Sequence, residues 1–179
     1  MRRILSVLAV VIAVCAWGAP QASAKSVGPG PYTIQNDFSH LCVDVAYGSL
    51  SSGARVQQWN CYNGTPERWR FEYYGWSTAW STAGESYYRV VNVNSGKCLE
   101  VRDGYTGPGG IIQQYDCWNG PMQLWTPRQV GATDMVQLVN FRSGKCLDDT
   151  DWSTWPGTSL QQIDCGAWRA QYWHLYPQS

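Results

Sequence analysis

Residues 96–125 read GKCLEVRDGYTGPGGIIQQYDCWNGPMQLW, and the same landmarks return at 144–173 as GKCLDDTDWSTWPGTSLQQIDCGAWRAQYW. A more altered copy, HLCVDVAYGSLSSGARVQQWNCYNGTPERW, occupies 40–69. In each copy the two Cys stand 19 apart: Cys42 and Cys61, Cys98 and Cys117, Cys146 and Cys165. A Trp follows the first Cys by 27 (Trp69, Trp125, Trp173), an Asn precedes it by six (Asn36, Asn92, Asn140), and a Gly stands eight before the second Cys (Gly53, Gly109, Gly157). A fixed period of this kind makes the repeat the architectural unit. The repeats run over about 32–87, 88–135 and 136–179, behind a short N-terminal segment at 25–31. Their first Cys residues lie 56 and then 48 apart, so the first repeat carries an insertion of eight. We place it in the polar stretch Gly75 to Ser86, GWSTAWSTAGES, which reads as a loop.

Working outward, the chain of 179 residues has 7 Cys, an odd number. Residues 1–24 resolve it. They carry Arg2 and Arg3, an apolar run from Ile4 to Ala16 and a closing Ala22-Ser23-Ala24, the pattern of a cleaved secretory signal. The run is too short to span a bilayer, and no later stretch approaches that length. Cys15 leaves with this segment; a lipid-modified Cys15 is the rival reading, against which Val14 stands where a small residue is wanted. Six Cys in a secreted chain form a disulfide framework, and a unit copied three times carries its own bridge, so each pair closes within its repeat. Zinc ligands come as closely spaced Cys pairs, which are absent, so no metal or other cofactor is expected.

Within a repeat the local signals are β. Tyr88-Arg89-Val90-Val91, Cys98 to Val101 and Val136 to Val139 are short, rich in β-branched residues and bounded by Gly, Asn and Ser. No amphipathic helical pattern follows the signal segment. An all-β chain of short strands must hide its sheet edges, and three rotated repeats do so by closing a barrel. Trp69, Trp125 and Trp173, with Val56, Ile112 and Leu160, are the predicted core.

The GKCLEV and GKCLDD runs, QQYDC, and the closing Gln123-Leu124-Trp125 and Gln171-Tyr172-Trp173 resemble the ricin B-chain-like lectins, the R-type β-trefoil carbohydrate-binding modules. The resemblance covers about Tyr32 to Tyr176; in the first repeat Glu67-Arg68-Trp69 stands in place of the Gln-x-Trp motif. It implies a β-trefoil over 32–179, and as sugar ligands the acid after the first Cys and the aromatic two before the second.

The residues themselves support such a site. Side chains alternate along a strand, so with Val43, Leu99 and Leu147 in the core, Asp44, Glu100 and Asp148 are expected at the surface. Gln57 and Trp59 share one side of their strand, as do Gln113 and Tyr115. A pyranose stacks its C–H face on a ring while its hydroxyls donate to a carboxylate. The family's Asn before Gln-x-Trp is replaced by Pro66, Met122 and Ala170, and Asn63 and Asn119 are its candidate substitutes. The candidate carbohydrate-binding set is therefore Asp44, Trp59 and Asn63; Glu100, Tyr115, Asn119 and Gln123; and Asp148 and Gln171. The third repeat has Ile163 where stacking needs a ring, unless Trp152 or Trp155 supplies a face. Gln58, Gln114 and Gln162 point inward with partners the sequence does not name. Asn36, Asn92 and Asn140 read as turn residues, and Asp148, Asp149 and Asp151 as a solvated acidic loop in place of a calcium site.

Composition narrows the function. Lys plus Arg balances Asp plus Glu at 13 each, which leaves no basic field for a nucleic acid or an anionic membrane. His40 and His174 occupy unrelated repeat positions with no nucleophile motif beside either, so no catalytic residues are assigned. The expectation is a secreted, extracellular, non-catalytic carbohydrate-binding protein, aimed at galactose-containing or plant-type polysaccharides. A protein-binding or protease-inhibiting trefoil that uses loop residues Trp76, Trp80, Trp152 and Trp155 is the alternative. Oligomeric state is not legible.

Overall fold

The computed structural model describes residues 25–76 and 84–179; the signal segment, Cys15 and Trp80 lie outside them. Twelve strands form one antiparallel sheet, four to a repeat. The first repeat holds β1 (Tyr32–Asn36), β2 (Cys42–Val45), β3 (Val56–Trp59) and β4 (Arg68–Trp76). The second holds β5 (Ser86–Asn92), β6 (Cys98–Val101), β7 (Gly110–Tyr115) and β8 (Leu124–Gln129). The third holds β9 (Val136–Asn140), β10 (Cys146–Asp149), β11 (Leu160–Ile163) and β12 (Trp173–Pro177).

Six of these strands close a ring: β1 pairs with β4, β4 with β5, β5 with β8, β8 with β9, β9 with β12, and β12 returns to β1. Closure removes the free edge that would otherwise template aggregation. The other six form three hairpins whose outer strands meet around the axis, where Arg55 faces Gln113, Gln57 faces Ser159 and Ile111 faces Gln161. This is the β-trefoil. Each repeat is stapled once, by Cys42–Cys61, Cys98–Cys117 and Cys146–Cys165, with Cα separations of 5.2, 5.2 and 5.1 Å.

Trp69, Trp125 and Trp173 are fully buried and packed with Val43, Leu99, Leu147 and their neighbours. Each indole N–H must find a partner to be buried, and it donates to the carbonyl of Val43, Leu99 or Leu147 at 2.8, 3.0 and 3.1 Å. Truncating one of these rings to Ala costs roughly 3 to 5 kcal/mol.

The inward glutamines lock the repeats to one another. Gln58 Nε2 donates to the Ser153 carbonyl of the third repeat, Gln114 to Ser49 and Ser51 of the first, and Gln162 to Tyr105 and Gly107 of the second. Their Oε1 atoms accept from Ser39, Ser95 and Ser143. The three Asn residues hold turns as expected, each Oδ1 accepting two backbone N–H groups just downstream. Gly157 shows why the spaced glycines are needed: φ is +91°, a region that disfavours side chains, and its N–H donates to the Gln58 carbonyl.

Two expectations need correction. Gly75 and Trp76 belong to β4 and Ser86 to β5, and Trp76 pairs with Ser86, so both ends of the stretch read as a loop are strand; its residues 77–83 lie outside the described residues. Asp148 and Asp149 lie on β10 and are buried, not in a solvated loop; only Asp151 of that trio is exposed.

Candidate functional site

The second residue of β2, β6 and β10 faces the core, so the third leaves it: Asp44, Glu100 and Asp148. They do not reach open solvent, being only 3%, 5% and 5% exposed. Alternation fixes which side a residue takes but not what covers it. The cover is the neighbouring hairpin strand, since Asp44 stands opposite Gln57, Glu100 opposite Gln113 and Asp148 opposite Gln161. Each amide donates to the acid it faces, at 3.0, 2.8 and 2.9 Å.

A second donor comes from a residue that sequence reasoning missed. Tyr62 Oη donates to Asp44 Oδ2 at 2.9 Å, and Trp118 Nε1 donates to Glu100 Oε2 at 2.9 Å. The sequence signal was the aromatic directly after the second Cys, in Cys61-Tyr62 and Cys117-Trp118; the third repeat has Gly166 there. The Tyr62 ring folds over Gly64, where an added Cβ would come within 2.1 Å of it, and Trp118 folds likewise over Gly120. In the third repeat the order is exchanged: Trp168 lies over Gly166.

The result is two similar concavities. One, of about 330 Å³, is lined by Asp44, Gln57, Trp59 and Tyr62, with Tyr47, Arg55 and Gly157 at its margin. A Cβ on Gly157 would meet Trp59 at 3.4 Å, so the third repeat's loop is a wall of the first repeat's hollow. The other, of about 410 Å³, is lined by Glu100, Gln113, Tyr115 and Trp118, with Asp103 and Met122. Trp59 and Tyr115 are each 41% exposed, so a face of each ring is available. Asp148 has no such company: Ile163 replaces the ring, Trp152 packs edge-on against Phe38 at 5.1 Å, and Trp155 stands 77% exposed on its loop.

Asn63 and Asn119 sit elsewhere. Asn63 lines a neighbouring cleft with Glu67 and Tyr176, and its Oδ1 accepts from Arg68; Asn119 Oδ1 accepts from Arg89. Gln123 and Gln171 are fully buried. Gln123 donates to Glu100 at 2.6 Å and accepts the Trp118 N–H, while Gln171 accepts the Gly166 N–H. Glu67 keeps that acceptor role, taking the Tyr62 and Asn63 N–H groups. The shared task of the three positions is to hold the segment after the second Cys.

Burial pushes the Asp44 carboxyl above the ordinary value, against the opposing pull of the Gln57 and Tyr62 hydrogen bonds. Burial raises Glu67 too, and the Asp44 charge adds to it. The Tyr62 phenol is held well above its usual range by burial and by Asp44, so it remains a donor. Among the described residues no group of three or more His, Cys, Asp or Glu is placed to hold a metal ion, and no helix is long and apolar enough to cross a membrane.

Known proteins share this fold. A designed three-fold symmetric protein, ThreeFoil, is similar at 29% identity and a TM-score of 0.73, over 82% of this chain and 98% of that one. An exo-β-1,3-galactanase from Clostridium thermocellum matches at 28% identity and TM-score 0.75, over 83% of this chain but 30% of its own length. A Macrolepiota procera ricin B-like lectin in complex with lactose shares the fold at 17% identity and TM-score 0.67, over 86% of this chain and 99% of that one. No curated protein sequence matches. A family model described as ricin-type beta-trefoil lectin domain-like matches residues 16–81 and 75–163, and the chain therefore belongs to the ricin-type β-trefoil lectin family.

Proposed function

We propose that the protein is a secreted, non-catalytic lectin that holds one sugar in each of its first two repeats. The observation that carries this is the pairing of a hydrogen-bonded acid with a half-exposed ring, found twice in related hollows: Asp44 beside Trp59 and Glu100 beside Tyr115. The ring offers a stacking face. The Gln57 and Tyr62 donors orient Asp44 so that its remaining lone pairs accept sugar hydroxyls. Each hollow is shallow and its single-site affinity modest; two sites on one chain multiply apparent affinity for a polymer. The likeness to an exo-β-1,3-galactanase supports a galactose-containing polysaccharide as the target. A glycan array, followed by titration of the bound sugars against Asp44→Asn and Trp59→Ala, tests the reading. Binding that depends on both residues is expected; no bound glycan, or binding indifferent to both changes, contradicts it. Exposed Trp76 and Trp155 favour a second reading, a protein-binding surface, which predicts a protease or receptor partner whose binding ignores sugar.

A further inference from the structure

We propose that the hollow of the first repeat takes a sugar bearing an anionic group, carboxylate or sulfate, and that Arg55 selects it. This rests on the carbohydrate-binding reading and names the chemistry of the ligand. Arg55 lines the same hollow as Asp44, Trp59 and Tyr62 and is itself exposed. A guanidinium carries five N–H donors in a rigid fork. Within the described residues Arg55 spends one, donating from Nη2 to Gln57 Oε1 at 2.9 Å, and it forms no ion pair.

Asp44 is the opposite case. It is 3% exposed, and both of its oxygens already accept a hydrogen bond, from Gln57 and Tyr62. The charge that an incoming ligand meets most openly is therefore the cation. A planar fork with free donors pairs two-to-two with a carboxylate and also binds a sulfate, and such charge-assisted bonds are about twice as strong as those to a neutral hydroxyl.

The second repeat sharpens the assignment. Ile111 takes the place of Arg55, and Asp103 takes that of Tyr47, so above the buried Glu100 the second hollow presents the exposed Asp103, and no cation lines it. Arg102 does donate to Gln113 Oε1 there, at 2.9 Å, but it lines a separate hollow with Tyr105 and Ile111. The two hollows share ring, acid and amide while their exposed charges have opposite sign. A neutral sugar suits either; an anionic sugar is drawn to the first and repelled by the second.

The test follows the Trp59 indole N–H resonance in the full chain during titration with two matched pairs, methyl β-galactoside against methyl β-galacturonide and methyl β-glucoside against methyl β-glucuronide. Galactose 6-sulfate is a further arm that separates sulfate from carboxylate. The acidic member of at least one pair, or the sulfate, is expected to saturate the signal at roughly fivefold lower concentration than its neutral counterpart. That ratio should fall toward one in about 0.5 M salt and in Arg55→Gln, and survive in part in Arg55→Lys, which keeps charge without the fork. A ratio of one or less in the unaltered protein, or a preference that persists in Arg55→Gln, overturns the inference while glycan-array binding keeps the lectin reading. Failure of the array itself removes both.

Discussion

Strand β2 ends Asp44-Val45 and β6 ends Glu100-Val101, whereas β10 ends Asp148-Asp149. In the first two repeats the acid is followed by a core valine; in the third the core position holds a second carboxyl, fully buried, with no hydrogen-bond partner on either oxygen among the described residues. The same repeat has lost Trp59 and Tyr62 to Ile163 and Gly166. Yet its disulfide, its Trp173 indole bond and its Gln162 bonds to the neighbouring repeat are all kept. The contrast separates two sets of residues: one builds the trefoil and repeats faithfully, the other lines the proposed sugar hollows and is complete only in the first two repeats.

The largest expected effect breaks the contrast in the core. Burial, with the Asp148 charge second, raises the Asp149 carboxyl from 3.8 to about 7. A carboxyl raised in the folded state binds its proton more tightly there than when unfolded. The stability it contributes is therefore complete below about 3.8 and is lost as pH rises through about 7. At 1.36 kcal/mol per pH unit this amounts to about 4 kcal/mol. Asp149→Val, which copies the first two repeats, should raise the melting midpoint by about 10 °C at pH 8 and by little at pH 4; calorimetry showing equal gains at both would refute the buried charge.

Next in size is Asp44→Asn, expected to weaken sugar binding at the first hollow by about 2 kcal/mol, read as a roughly thirtyfold loss. Acidification should act in the same direction: burial raises the Asp44 carboxyl, so as pH falls the hollow loses its ionised acceptor sooner than an ordinary aspartate would, and binding that is indifferent to acidification contradicts the role. Tyr62→Phe removes one donor to Asp44 and should cost about 1 kcal/mol, or fivefold, at that hollow alone. Asp148→Asn should leave every sugar titration unchanged, since its site lacks a ring; a measurable loss would make the third repeat functional.

Much of the trefoil was legible in sequence because its determinants recur: the 19-residue Cys closures and the three Trp positions each appear three times. What was hidden lies between repeats or depends on cover. Gln58 finds its partner at Ser153, 95 residues on, which no local pattern reveals. The acids were assigned to the correct side of their strands, but the cover over Asp44 comes from Gln57 and Tyr62, which arrive from the partner strand and the irregular segment beyond it. Asn63 was the candidate substitute for the Asn missing before Gln-x-Trp; with φ at +61° it lies in the adjacent cleft, and Tyr62 takes the place beside the acid. The segment after the second Cys is irregular, and no strand alternation governs its side-chain directions.

The most direct measurement is a structure of the protein with a glycan that the array identifies. Sugar is expected to stack on Trp59 beside Asp44 and on Tyr115 beside Glu100, with none at Asp148. Sugar bound at Asp148, or bound away from both aromatic hollows, would contradict the two-site reading.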